Sequence, residues 1–326
     1  MKASENPFTS SKRSLALKIN KTVLIIIKIV VSSGLLYLVF SKTGLGEVAA
    51  ALRTMSIPAF LFAIVLYLFA QVISTIRWKL LLPDGIGLRK LLSLCMIGSF
   101  FNTFLPGVIG GDAIKGLYLY RLTGNGSLSL ASIFIDRYIG FAALITICAV
   151  SFPFGFRFFA GSPVTWLLPA IVFSFIGASL LIFGLRLGQR MRALSEFYSY
   201  FHSYRNQTTV IGKTFVLSLI VQLAGIFSVY ILSLGMGQQI PFLAFLLFIP
   251  LIVLFAMIPL SISGLGIRES AFVLFFGLIN VPPGVATALS LLWFISISFA
   301  SLIGLVEYIK YKEKNDFTGG MKRRRT

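Results

Sequence analysis

Charge is scarce in this chain. Only 12% of its 326 residues are charged, about half the share of soluble domains. With 57% hydrophobic residues and a mean hydropathy of +0.93, a soluble globular protein is excluded. Histidine is rarer still: His202 stands alone, and a single imidazole cannot assemble a metal site. The two cysteines, Cys95 and Cys148, both lie in apolar stretches and supply no CxxC pair, zinc cluster or disulfide framework. Walker, dinucleotide, HExxH and GxSxG contexts are missing too. No catalytic residue, metal or cofactor is therefore expected. Acidic residues number 10 against 29 Lys and Arg, a formal +19. Those bases lie between long apolar runs rather than in one patch, so no nucleic-acid partner is expected either.

Long apolar runs are what the chain has in abundance. Runs at 22–40, 57–76, 129–152, 164–185, 214–234 and 285–308 each approach the roughly 20 residues that a bilayer needs. They are read as six full spans. The basic segment 1–21 precedes the first, and no small-residue cleavage site follows Phe40, so that span is retained. Arg77-Trp78-Lys79 closes the second span and reads as an interfacial anchor.

Two further apolar stretches, 91–122 and 242–280, are broken in the middle by proline, glycine and charge. The first breaks at Pro106-Gly107-Val108-Ile109-Gly110-Gly111-Asp112, and the second at Pro259-Leu260-Ser261-Ile262-Ser263-Gly264-Leu265-Gly266. Aligned on the prolines, Gly111 coincides with Gly264 and Lys115 with Arg268, a weak internal repeat.

The distribution of bases tests whether these stretches cross the membrane. If both are re-entrant hairpins, only Lys42, Arg53 and Arg157 fall outside, Lys28, Arg137 and Arg268 lie within spans, and the rest fall inside. If one crosses and the other does not, the basic segment 186–213 and the basic tail 310–326 take opposite sides. If both cross, these two oppose the basic N-terminus. The hairpin arrangement is the most asymmetric, with both termini cytoplasmic. The predicted fold is thus an all-α polytopic membrane protein. Its transmembrane domain, 22–309, holds about six full spans and two oppositely oriented re-entrant hairpins that form an inverted repeat. Many secondary transporters frame a midplane site this way. Irregular backbone at that depth must line a wet cavity or be buried in protein.

Ionisable residues within the membrane are costly and therefore informative. They are Asp112, Lys115, Asp136, Arg137, Arg268 and Glu269. Asp112 is either a helix N-cap or a cavity residue. Glu269 suits a helix start. Arg268 does not, and needs a ligand phosphate or a carboxylate such as Asp112 or Asp136. Neighbours on a helix do not face each other, so the expected pairs cross between halves: Asp136 or Asp112 with Arg268, Glu269 with Arg137 or Lys115. Such pairs either open for substrate or act as static struts. Gly110, Gly111, Gly264 and Gly266, beside Pro106 and Ser263, either bring backbone amides close to a headgroup or merely turn the chain. Asn102, polar in an apolar half-helix, is placed on the same cavity.

Segment 186–206 carries Leu187, Met191, Leu194, Tyr198 and Phe201 at helical spacing among arginines, which fits an amphipathic helix on anionic lipid. The tail 310–326 is expected to be a disordered basic anchor.

At these residues the chain resembles a known family. Asn102…Leu105-Pro106-Gly107-x-x-Gly110-Gly111-Asp112, then Asp136-Arg137, then Ser263-Gly264-Leu265-Gly266-Ile267-Arg268-Glu269 is similar to the lysylphosphatidylglycerol synthase transmembrane family, also called flippase-like or UPF0104 proteins. The resemblance runs from about residue 22 to 309. The family more often has Glu where Asp136 stands and Gly where Ser263 stands. In two-part members such a region moves an aminoacylated phospholipid between leaflets, while a separate soluble domain makes it. This chain has no room for that aminoacyltransferase domain. The resemblance implies handling of an envelope lipid in a bacterial or archaeal cytoplasmic membrane.

Three functions compete. The leading expectation is a lipid flippase or transporter, not an enzyme, in which Lys115 and Arg268 receive an anionic headgroup while Asp112, Asp136 and Glu269 provide counter-charge or proton coupling. The alternatives are a non-catalytic membrane partner of a lipid-modifying enzyme and an intramembrane lipid transferase using a carboxylate as general base. Oligomeric state is unspecified.

Overall fold

The computed structural model describes residues 21–104, 110–181, 207–257 and 264–323. Pro106, Ser263 and the expected amphipathic stretch 186–206 lie outside them. The described residues are helical, with no strand among them. In chain order the helices are α1 Lys21–Thr43, α2 Leu45–Arg53, α3 Ile57–Lys79, α4 Leu88–Phe104, α5 Gly110–Thr123 and α6 Gly126–Gly155, followed by α7 Leu167–Ser179, α8 Thr208–Gly235, α9 Phe242–Ala256, α10 Ile267–Gly277 and α11 Pro283–Arg323.

Four of these, α3, α6, α8 and α11, are long and apolar enough to cross a membrane. They coincide with the second, third, fifth and sixth predicted spans. The first predicted span falls in α1, which bends by 82° into α2. The fourth survives as α7, 13 residues preceded by a 3₁₀ turn at Pro163–Trp166, which is short for a crossing on its own. One expectation is corrected for the described residues: past Lys310 the chain continues as helix, since α11 runs on to Arg323. The sequence there favours this, with Lys310 set 3.8 Å from Glu307 one turn back.

α3 shows how the membrane setting inverts helix amphipathicity. Leu61, Phe62, Val65, Phe69 and Val72 are exposed on one side, whereas Tyr67, Gln71, Ser74 and Arg77 recur at helical spacing on the side that faces the interior cavity. In lipid the apolar face turns outward and the polar face finds protein partners.

Both interrupted stretches fold back on themselves. In the first, α4 and α5 run antiparallel, with Asn102 beside Gly111, Gly98 beside Lys115, and Leu91, Leu94 and Cys95 clustered with Leu119. In the second, Gly264 abuts Ala256 while Phe245 and Phe248 meet Phe276 further down the arms.

Helix packing repeats between two groups of four helices. α3, α4, α5 and α6 form one unit, and α8, α9, α10 and α11 the other. α4 packs on α11 as α9 packs on α6; α5 lies on α6 as α10 lies on α11; α6 meets α8 as α11 meets α3. The units meet at α3 and α8, which are antiparallel: the Ser56 amide donates to the Gly235 carbonyl (2.9 Å) at one end, and Arg77 Nη1 donates to Ser218 Oγ (2.8 Å) at the other. Each unit therefore begins in the direction opposite to its partner, and each hairpin is clasped by a long helix of the other unit.

Candidate functional site

Where the two units meet they leave a cavity of about 440 Å³, lined from α3, α4, α5, α6, α8, α9 and α11 and by Arg268 of α10. Asn102, Asp112, Lys115, Asp136, Arg137 and Arg268 all line it, so most of the intramembrane polar residues picked out in the sequence converge on one space. Glu269 sits behind the wall, fully buried.

Glycine allows the first hairpin to close. A Cβ on Gly111 would overlap the Gly98 carbonyl and stand 2.7 Å from Asn102 Cγ, so no side chain fits there. The Gly111 amide, unpartnered by the helix it begins, donates to Asn102 Oδ1 at 2.9 Å. In the second hairpin, Gly264 and Gly266 both take positive φ, 78° and 86°. The Gly266 amide donates to Glu269 Oε2 at 2.7 Å, so that Glu269 caps the start of α10.

The ion pairs differ from the expected cross-pairing. Asp112 takes both its bonds from Arg137, a bidentate pair at 2.7 and 2.8 Å. Asp136 accepts from Arg77 Nε at 2.8 Å and faces Lys115 Nζ at 3.8 Å. Arg268 pairs with its own neighbour: Nη2 lies 2.5 Å and Nε 3.2 Å from Glu269 Oε1, and Ser290 Oγ joins both residues at 3.0 and 3.1 Å. Adjacent residues meet here because Glu269 curls back toward Gly266, bringing its carboxylate round to the side on which Arg268 lies. Of the two readings of Asp112, the cavity residue holds: it ties the start of α5 to α6 through Arg137.

Arg77 belongs to this site, although its sequence context suggests an interfacial anchor. It is 6% exposed, and its neighbour Trp78 is fully buried with Lys115 Nζ 3.7 Å from its ring centroid. Counting the polar face of α3 back from Arg77 through Ser74, Gln71 and Tyr67 was the signal that could have placed it inward. Arg268 similarly lies over Phe294, 4.7 Å from the centroid.

The two bases aligned in the sequence also keep matching company. Lys115 on α5 reaches Asp136 on α6, and Arg268 on α10 reaches Ser290 on α11 as well as its own neighbour Glu269. Among the described residues no group of His, Cys, Asp and Glu is placed to hold a metal ion.

Comparison with known proteins agrees with the architecture. The lysylphosphatidylglycerol synthase TM region family matches residues 25–304. A UPF0104 membrane protein of Pyrococcus horikoshii is 23% identical over 291 residues, covering 78% of this chain and 87% of its own. Another, of Methanocaldococcus jannaschii, is 20% identical over 334 residues, covering 93% and 98%. With four membrane-length helices among the described residues and a family match over most of its length, the chain is a multi-pass membrane protein and belongs to the lysylphosphatidylglycerol synthase TM region family.

Proposed function

We propose that this protein is a flippase-like transporter that moves an anionic or aminoacylated lipid, or another envelope lipid, between the leaflets of a bacterial or archaeal cytoplasmic membrane. It acts without catalysing a covalent step. Both termini face the cytoplasm, and the two hairpins enter the membrane from opposite sides and meet near its midplane. The observation that carries this reading is the convergence of charged residues from both inverted units, Asp112, Lys115 and Arg268, on one cavity between them. A buried charge without a task is a cost that a bilayer does not forgive. In the cavity these groups replace water around a polar headgroup while the acyl chains stay in lipid.

The test is leaflet exchange of fluorescent phosphatidylglycerol in vesicles carrying the purified protein. Wild type should accelerate exchange, and Arg268→Ala and Asp112→Asn should each lose at least about tenfold, the scale of one lost charge-assisted contact. Full activity in both folded variants would remove the mechanism. A wild type that binds lipid but moves none would favour the role of a non-catalytic partner to a lipid-modifying enzyme.

A further inference from the structure

We infer that the headgroup admitted by this cavity is a phosphate carrying a neutral polyol or sugar, and not one carrying an amine. The inference rests on the lipid-handling reading above and narrows it to a substrate class.

Charge is the first ground. Four cationic side chains, Arg77, Lys115, Arg137 and Arg268, are set against three carboxylates, Asp112, Asp136 and Glu269, which leaves one formal positive charge unanswered. One phosphodiester neutralises it. A lysine ester of the same lipid brings two ammonium groups with its phosphate, so its net positive headgroup would deepen the imbalance in a medium of low dielectric. Each carboxylate is moreover already engaged. Asp112 is taken on both oxygens by Arg137, Asp136 is shared by Arg77 and Lys115, and Glu269 is held by Arg268, Ser290 and the Gly266 amide. No carboxylate stands ready to receive an ammonium group. Lys115 is the cation best placed to turn to a phosphate, since it stands 3.8 Å from the Asp136 oxygen while Arg77 holds the other at 2.8 Å.

The cavity wall is the second ground. Tyr67, Gln71 and Ser74 line successive turns of α3, with Ser99 opposite on α4 and Gln222 and Ser228 on α8. The Tyr67 hydroxyl bonds Ser99 Oγ, and Gln71 Nε2 donates to the same oxygen at 3.4 Å. These groups are neutral, and hydroxyls and amides can both donate and accept, as a polyol requires. A polyol can exchange bonds within this set, donating and accepting in turn, which an ammonium group, a donor only, cannot. Glycerol on a diacyl phosphate and a hexose on a polyprenyl phosphate share this chemistry.

The inference is tested by titrating the full-length purified protein calorimetrically with dihexanoyl phosphatidylglycerol, dihexanoyl phosphatidic acid, the lysyl ester of the former, and farnesyl phosphomannose. Phosphatidylglycerol or the phosphomannose should bind at least about tenfold more tightly than the lysyl ester. Gln71→Ala should weaken polyol binding about tenfold while leaving phosphatidic acid unchanged, and Lys115→Ala should weaken both. In Gln71→Glu, a carboxylate added to the wall should improve binding of the lysyl ester. A lysyl ester that binds wild type as well as its parent, or a Gln71→Ala loss equal for phosphatidic acid and phosphatidylglycerol, would overturn the polyol assignment while Lys115-dependent binding kept lipid handling intact. Failure of all four lipids to bind would bring down the lipid-handling reading itself. Which polyol binds more tightly distinguishes the diacyl from the polyprenyl source.

Discussion

The arms of the first hairpin, α4 and α5, meet through glycine and line the cavity with Ser99, Asn102, Asp112 and Lys115. Those of the second, α9 and α10, meet through phenylalanine. Phe245, Phe248, Phe272, Phe275 and Phe276 are fully buried there in the largest apolar cluster of the described residues. Their ion pairs follow suit. Arg268 and Glu269 close on each other with side chains 7% and 0% exposed, whereas Arg137 and Asp112 are 42% and 17% exposed on the cavity side. The hairpins differ accordingly: apart from Arg268 the second is a fixed wall, whereas the first carries polar groups that line the cavity.

Mutations can break this distinction. The largest loss is expected from Glu269→Ala, which strands a buried guanidinium and uncaps α10. It should cost about 3–5 kcal/mol in detergent unfolding, and a loss no larger than that of a cavity variant would count against the fixed-wall description. Gly111→Ala should come next, at about 1–3 kcal/mol, because the added methyl must push α5 away from the Gly98 carbonyl. Leaflet exchange should fall with it, since the shift is felt at Asp112 and Lys115. Asp112→Asn should be mildest for stability, under about 1 kcal/mol for a pair open to a wet cavity, yet it should still abolish exchange. Equal unfolding midpoints for Asp112→Asn and Glu269→Ala would erase the difference between the hairpins.

Much of this plan was legible in the sequence. Pro106 and Pro259, each five residues ahead of a glycine and nine ahead of a base, marked both interruptions, and the apolar runs marked the four long helices. Pairing was not legible, because it depends on which way a side chain turns within one helical step. Arg77-Trp78-Lys79 has the composition of an interfacial belt, and only Asp136, 59 residues further along, shows that Arg77 and Trp78 face inward while Lys79 stays exposed. Arg268 and Glu269 were expected to look outward to the other unit. The rule that helical neighbours diverge fails at a helix start, where the carboxylate has a backbone amide to cap. The late start of α7 within its predicted span was not legible for a different reason: hydropathy records how apolar a run is, not where Pro163 and the turn after it delay its helix.

The unequal hold on the two aligned bases has one more consequence. Lys115 stands 3.8 Å from a carboxylate that Arg77 already grips, whereas Arg268 is closed on Glu269 and Ser290. If the protein moves lipid as proposed, a headgroup would meet a loosely held cation from one unit and a locked one from the other. The two half-journeys would then present different barriers, and a lipid would wait longer on one side of the membrane than on the other.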